Sequence, residues 1–151
     1  MRNKIGIGTL ALLIASLGCQ TPTGDAELAN TVALMDATIP LAVAYSVQHD
    51  PSCVDEFVAA ATCIDAAAGD PNMTPAILLN NLRPLGLNQE AELAVLGGVA
   101  LWSAYLAQHP DALSADKRLL LMTISKDIRL GLPPATPDSL HGWPTSRRGR
   151  R

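Results

Sequence analysis

The first strong pattern in the chain is an amphipathic stripe between residues 25 and 48. Its apolar side chains recur at steps of three and four residues: Leu28, Val32, Met35, Ile39 and Val43. That spacing places them on one face of an α-helix. Pro40 falls inside this helix and removes one backbone hydrogen bond, so we expect a kink or a break there.

Capping and turn residues divide the following chain into four more helices. Asp50 and Pro51 are typical of a helix start, and Gly69 of a helix end. The second helix therefore runs from Pro51 to Ala68. The remaining helices are predicted over residues 75–82, 89–108 and 115–130, with Thr74-Pro75 starting the first and Asn88 and Ser114 capping the other two.

These elements predict an all-α fold, a small antiparallel bundle of four main helices and one short helix over residues 25–132. Residues 133–151 form an irregular, basic C-terminal tail in this interpretation. Gly97 and Gly98 stand in the middle of the fourth predicted helix, where each costs about 1 kcal/mol of helix propensity against alanine. We expect a neighbouring helix to approach closely at this pair.

Two short segments of the chain resemble each other. Residues 44–49 (AYSVQH) are similar to residues 104–109 (AYLAQH), and residues 26–29 (AELA) match residues 91–94. Two pseudo-repeated hairpins, produced by duplication, would explain the similarity. The alternative is that alanine-rich helices share end residues by chance.

Composition and charge narrow the class of protein. The 151 residues contain one Phe, two Tyr and two Trp, and this scarcity favours helices packed through small and aliphatic side chains over a β-sandwich. Between Cys19 and Ser146 the chain carries five basic and fourteen acidic residues. An acidic body argues against nucleic acid as a partner.

The N-terminal segment has the layout of a secretory signal. Arg2 and Lys4 precede an uncharged apolar run from Ile5 to Leu17, which is 13 residues long and too short to span a bilayer comfortably. A polar stretch follows Cys19 at once. We therefore expect residues 1–18 to direct export.

The end of this segment, Ser16-Leu17-Gly18-Cys19, resembles the lipobox of bacterial and phage prolipoproteins. Gly18 and Cys19 fit that motif. The leucine that usually stands three residues before the cysteine is replaced by Ser16, and Leu17 follows one position later. The resemblance implies a signal peptide over residues 1–18, cleavage before Cys19, palmitate-type acylation of Cys19 as a lipid anchor, and a lipidated tether over residues 19–24. Gln20 then favours the outer membrane over the inner, on the periplasmic side. Plain secretion and an uncleaved membrane anchor are the alternatives.

Cys53 and Cys63 are the thiols left after Cys19. An oxidising compartment favours a disulfide between them. Ten residues of continuous helix would separate them by about 15 Å, however, and a disulfide needs Cα atoms within roughly 7 Å. The sequence leaves a bridged and an unbridged pair open.

No motif in the sequence predicts catalysis, a metal or a cofactor. HxxxH, HExxH, CxxC, GxSxG and a glycine-rich phosphate loop are all absent. His49 and His109 each end a predicted helix, where an imidazole interacts with the helix dipole, and a metal or catalytic pair is the alternative. The aromatic residues at helical spacing are predicted to be core or boundary residues rather than a binding cage: Tyr45, Trp102 and Tyr105.

The tail ends in four arginines, Arg147, Arg148, Arg150 and Arg151. They are either a solvated end or a contact with an anionic lipid surface. Trp143 in the same tail either folds back on the bundle or enters a partner or membrane interface.

The function expected from these features is that of a non-catalytic, membrane-anchored lipoprotein. It would be a structural or interaction module of the envelope that binds an envelope protein or itself. The alternatives are a binding module for a small hydrophobic ligand, opened by the Gly97-Gly98 notch, and a phage lysis or superinfection-exclusion protein.

Overall fold

A computed structural model describes residues 24–134, and this part of the chain consists of helices and their connections. The five α-helices are α1 (Gly24–His49), α2 (Val54–Ala68), α3 (Pro75–Leu82), α4 (Gln89–Gln108) and α5 (Ser114–Gly131). Short 3-10 turns occupy Pro51–Cys53 and Arg83–Leu85. The predicted all-α bundle of four long helices and one short helix is confirmed. The predicted signal peptide, nearly all of the tether and most of the tail lie outside the described residues.

Side-chain pairs fix how α1 and α4 run. The His109 imidazole lies against the Glu27 carboxylate, and a Cβ added to Gly98 would lie 3.1 Å from Cδ1 of Ile39. Residue numbers therefore increase along α1 as they decrease along α4. The two helices are antiparallel neighbours.

α5 lies between α1 and α2. Its Lys126 Nζ binds Asp36 on α1 at 2.6 Å, and its Ser125 hydroxyl donates to the Ala61 carbonyl on α2 at 3.1 Å. Nearer its C-terminus, a Cβ at Gly131 would lie 2.6 Å from the Cβ of Val43. α5 therefore runs parallel to α1, which departs from a purely antiparallel arrangement.

The short helix α3 explains this topology, because it carries the chain back from the end of α2 to the start of α4. Asn88, just before α4, donates from its backbone N–H to Oε2 of Glu56 at 2.7 Å and from its amide to Oδ2 of Asp50 at 3.1 Å. α2 and α4 thus begin at the same end of the bundle. Because α5 lies between α1 and α2, those two helices make few contacts with each other. This packing does not resemble two equivalent hairpins.

Most predicted helix starts are confirmed by their capping bonds. The Asn88 side chain accepts from the Ala91 N–H at 2.8 Å, and Thr74 accepts from Ile77 at 3.3 Å. The predicted Ser114 cap is wrong. Ser114 is already the first residue of α5, and the N-cap is Leu113, whose side chain makes no capping bond. The Leu113 carbonyl accepts the first hydrogen bonds of α5, from the N–H groups of Asp116 and Lys117.

Pro40 does not split α1, which is continuous from Gly24 to His49. One further boundary differs from expectation. The second predicted helix begins as a 3-10 turn at Pro51–Cys53 and becomes α-helical only at Val54. Asp50 caps that turn as predicted, by accepting from the Ser52 N–H at 3.0 Å.

The core lies where α1, α2, α4 and α5 meet, and Trp102 and Phe57 are its largest fully buried side chains. Gly98 allows this packing, because a Cβ there would lie only 3.0 Å from Cγ2 of Ile124. The expectation of a close helix approach is therefore confirmed at Gly98. At Gly97 it is wrong, since a Cβ at that position would meet nothing within 4 Å.

Candidate interaction surface

α1 and α4 present an exposed apolar surface between them, which we call the α1–α4 face. It consists of Leu34, Leu41, Tyr45, Leu93, Gly97, Ala100 and Ala104, of which Leu34 is half-buried and the others are exposed. Leu41 is 71% exposed, Tyr45 61% and Leu93 54%. The antiparallel register places Leu41 across from Gly97 and Tyr45 across from Leu93. The face is therefore continuous over both helices.

Charged side chains border this face but do not enter it. On α1, the one charged residue between Glu27 and His49 is Asp36, which is directed to Lys126 on α5. On α4, no charged residue lies between Glu92 and His109. From Leu34 to Tyr45 the strip is about 16 Å long, and with two helices side by side it covers roughly 300 Å². Apolar patches of this size on a monomer are often functional.

The apolar character of α1 is not explained by burial. α1 and α4 are each long and apolar enough to cross a membrane by length and composition. In the most apolar 18-residue window of each helix, 39% of the window is buried in α4 but only 17% in α1. The exposed apolar residues of α1, such as Leu41, therefore need another explanation than the core. These two helices are compatible with membrane association.

Five carboxylates lie at the end of the bundle where α1 ends and α2 and α4 begin. We call this the acidic end, and its carboxylates are Asp50, Asp55, Glu56, Glu90 and Glu92. Arg83 is the one arginine or lysine there within residues 24–134. Hydrogen bonds from Ser52 lower the pKa of Asp50. The chain enters the bundle at Gly24, at the opposite end.

Asp127, a buried residue that the sequence did not mark as a site, lies on the side of α1 away from the α1–α4 face. Asp127 on α5 is fully buried, and neither carboxyl oxygen has a hydrogen-bond partner. Lys126 Nζ lies 3.3 Å from its Oδ1 but binds Asp36 more closely. Burial raises the pKa of Asp127, while the hydrogen bond from Lys126 lowers that of Asp36. The sequence does indicate this burial, because Asp127 follows Ile124 by three residues and so falls on the apolar side of α5.

Both remaining thiols are free, so the disulfide weighed for Cys53 and Cys63 is absent. Cys53 is buried at the turn before α2, and its thiol donates to the Asp50 carbonyl at 2.8 Å. Cys63 is half-buried in α2, ten residues further on. Helix geometry decides the outcome, because the chain does not fold back between them. Burial raises the pKa of both thiols.

The aromatic and histidine residues divide between core and surface. Trp102 and Tyr105 are buried, as predicted, whereas the prediction of a core or boundary position for Tyr45 is wrong. Each tyrosine packs against the histidine four residues later, with ring centroids 4.3 Å apart at His49 and 4.5 Å apart at His109. His49 is the last residue of α1 and His109 caps the end of α4, which agrees with the expected terminal positions. Within residues 24–134, no group of three or more His, Cys, Asp or Glu residues is placed to hold a metal ion.

The notch expected to open a ligand cavity is filled, because Ile39 and Ile124 pack against Gly98. Two open grooves lie elsewhere, flanking Leu119: one of about 470 Å³ beside the end of α2 and one of about 460 Å³ between α1 and α5. Neither groove includes Gly97 or Gly98. The hydrophobic-ligand interpretation thus loses the location from which it was argued.

Several predicted site residues lie outside the described residues: Cys19, Trp143, Arg147, Arg148, Arg150 and Arg151. Comparison of the chain with protein-family models, curated proteins and solved structures gave no match. The function of the protein must therefore be inferred from the motif at Cys19 and from the surface of the bundle.

Proposed function

We propose that the protein is a non-catalytic lipoprotein of the bacterial envelope, encoded by a bacterium or a phage, that acts by contact. Its signal peptide, residues 1–18, is removed, and acyl chains on Cys19 hold the bundle at the periplasmic side of a membrane, the outer membrane in preference to the inner. The α1–α4 face is its contact surface. The observation that carries this proposal is the α1–α4 face, an apolar surface without charged side chains that stays exposed on an otherwise acidic bundle.

The geometry of the tether supports this arrangement. Gly24, where α1 begins, follows Cys19 by five positions, and a chain of that length reaches at most about 17 Å. The bundle would therefore stay close to the bilayer. The acidic end lies at the far end of α1, about 39 Å along a helix of 26 residues. An upright bundle thus keeps the carboxylates of the acidic end away from anionic headgroups.

The partner of the face is an envelope protein or a second copy in this proposal, and nucleic acid is not expected. An apolar patch bordered by charged groups is the usual anatomy of a protein contact, with an apolar centre and a polar rim. Glu27 with His109 forms the rim at one end, and Glu90 and Glu92 form it at the other. No observation favours the lysis or superinfection-exclusion role over a structural one.

Fractionation of a Cys19→Ser variant tests the anchor. We expect the wild-type protein to sediment with membranes after an alkaline wash, and the variant to move to the soluble fraction. Cys63→Ser is the matched control, because it removes a half-buried thiol from the bundle and should leave the protein membrane-bound. Retention of Cys19→Ser in the washed membranes would refute lipid anchoring at that residue.

A further inference from the structure

We propose that the protein's own C-terminal segment, residues 135–151, covers the α1–α4 face. Trp143 packs at Gly97, and the four terminal arginines bind the acidic end. This inference deepens the proposed function, because a partner would have to displace the segment. The folding-back itself does not depend on lipidation of Cys19.

The place where the described chain ends makes this contact accessible. Gly131, at the end of α5, packs against Pro40 and Val43 in the second half of α1. The described chain therefore ends beside the second half of α1, toward the acidic end. Trp143 follows Pro134 by nine residues, which reach about 30 Å when extended. Neighbouring helix axes are only about 8–10 Å apart, so the segment can pass around α1 to the face.

Charge complementarity selects this occupant over the alternatives. Residues 24–134 contain thirteen acidic and five basic side chains, whereas the last five residues of the chain contain four arginines. A second copy in a two-fold contact would bring the carboxylates at the ends of one face close to those of the other. An anionic membrane would repel the same carboxylates. The basic segment is the occupant whose charge fits.

The surface at Gly97 suits an aromatic ring. Since a Cβ at Gly97 would meet nothing within 4 Å, the glycine leaves open space between exposed Leu41 and Leu93. A tryptophan side chain buries about 150–250 Å² when it is covered, a large part of a patch of roughly 300 Å². Trp143 is the one large aromatic residue in the segment.

Photo-crosslinking of the full-length protein tests the inference, with p-benzoylphenylalanine in place of Trp143. We expect cross-links within one chain, to peptides of α1 and α4 that contain Leu41 or Gly97. Gly97→Leu fills the open space and should abolish most of this product. Ala107→Leu is the matched control, since Ala107 is exposed on α4 outside the face, and it should leave the yield unchanged.

A second variant tests the charge contribution. Replacing all four arginines with serine should lower the cross-linked fraction about tenfold, because each exposed ion pair stabilises a contact by a factor of about two, and high salt should act in the same direction. Cross-links to a second chain, to lipid, to α2 or to α5 alone would overturn the inference, as would an absence of cross-links. The same measurement on the Cys19→Ser variant separates the two proposals, because loss of anchoring leaves the intrachain product unchanged.

Discussion

Gly97 and Gly98 are neighbours in the sequence, yet the structure predicts opposite outcomes when each is replaced with alanine. A Cβ at Gly97 enters open space, whereas one at Gly98 lies 3.0 Å from Cγ2 of Ile124 and 3.1 Å from Cδ1 of Ile39. Both substitutions add the same methyl group to the same helix. The difference between them therefore measures how closely α1 and α5 approach α4.

The magnitudes follow from two contributions. Each Gly→Ala change gains about 1 kcal/mol of helix propensity. At Gly98 this gain is opposed by overpacking, which typically costs about 1–3 kcal/mol, and Ile124 is β-branched and cannot easily turn away. We therefore expect Gly97→Ala to stabilise the protein by roughly 1 kcal/mol. Gly98→Ala should range from neutral to about 2 kcal/mol less stable than wild type.

Urea denaturation followed by circular dichroism measures both free energies of unfolding under identical conditions. The double variant is the control for additivity, because the two methyl groups point in different directions from α4. Equal stabilisation by both substitutions would refute the reasoning, since it would mean that no helix packs against Gly98. Destabilisation by Gly97→Ala would refute the open surface that the α1–α4 face requires.

Three further predictions concern single side chains. Because burial raises the pKa of Asp127 in the folded state, the wild-type protein should lose stability as the pH rises from about 4 through that pKa. Asp127→Asn should be the more stable protein at pH 7 and should not show this loss; identical pH profiles in urea denaturation would contradict the burial. Asn88→Ala should cost about 1–2 kcal/mol of thermal stability through the lost helix cap, whereas the exposed Asn80→Ala should change it by less than about 0.5 kcal/mol. In native protein, maleimide should label Cys63 before Cys53 by mass spectrometry, and failure to label either thiol after unfolding without reductant would reveal a disulfide.

The positions of the helices could be predicted from the sequence because their signals are local. Capping by Asp50, Thr74 and Asn88 depends on residues no more than three apart, and the apolar spacing of α1 extends over a single element. The error at Ser114 is one residue in extent, because α5 begins after Leu113, whose side chain makes no capping bond.

The arrangement of the helices could not be predicted in this way, because it depends on contacts between distant residues. The parallel pairing of α5 with α1 follows from the return of the chain through α3. Gly97 and Gly98 have the same local sequence environment and differ only in which direction each faces. The α1–α4 face was missed for the same reason, since its facing side chains lie 48 to 70 positions apart in the sequence.

The N-terminus of the mature protein tests the central claim most directly. Mass spectrometry of protein extracted from membranes should detect a peptide that begins at Cys19 and carries two or three acyl chains. An intact Met1 together with an unmodified Cys19 would contradict a lipid-anchored protein.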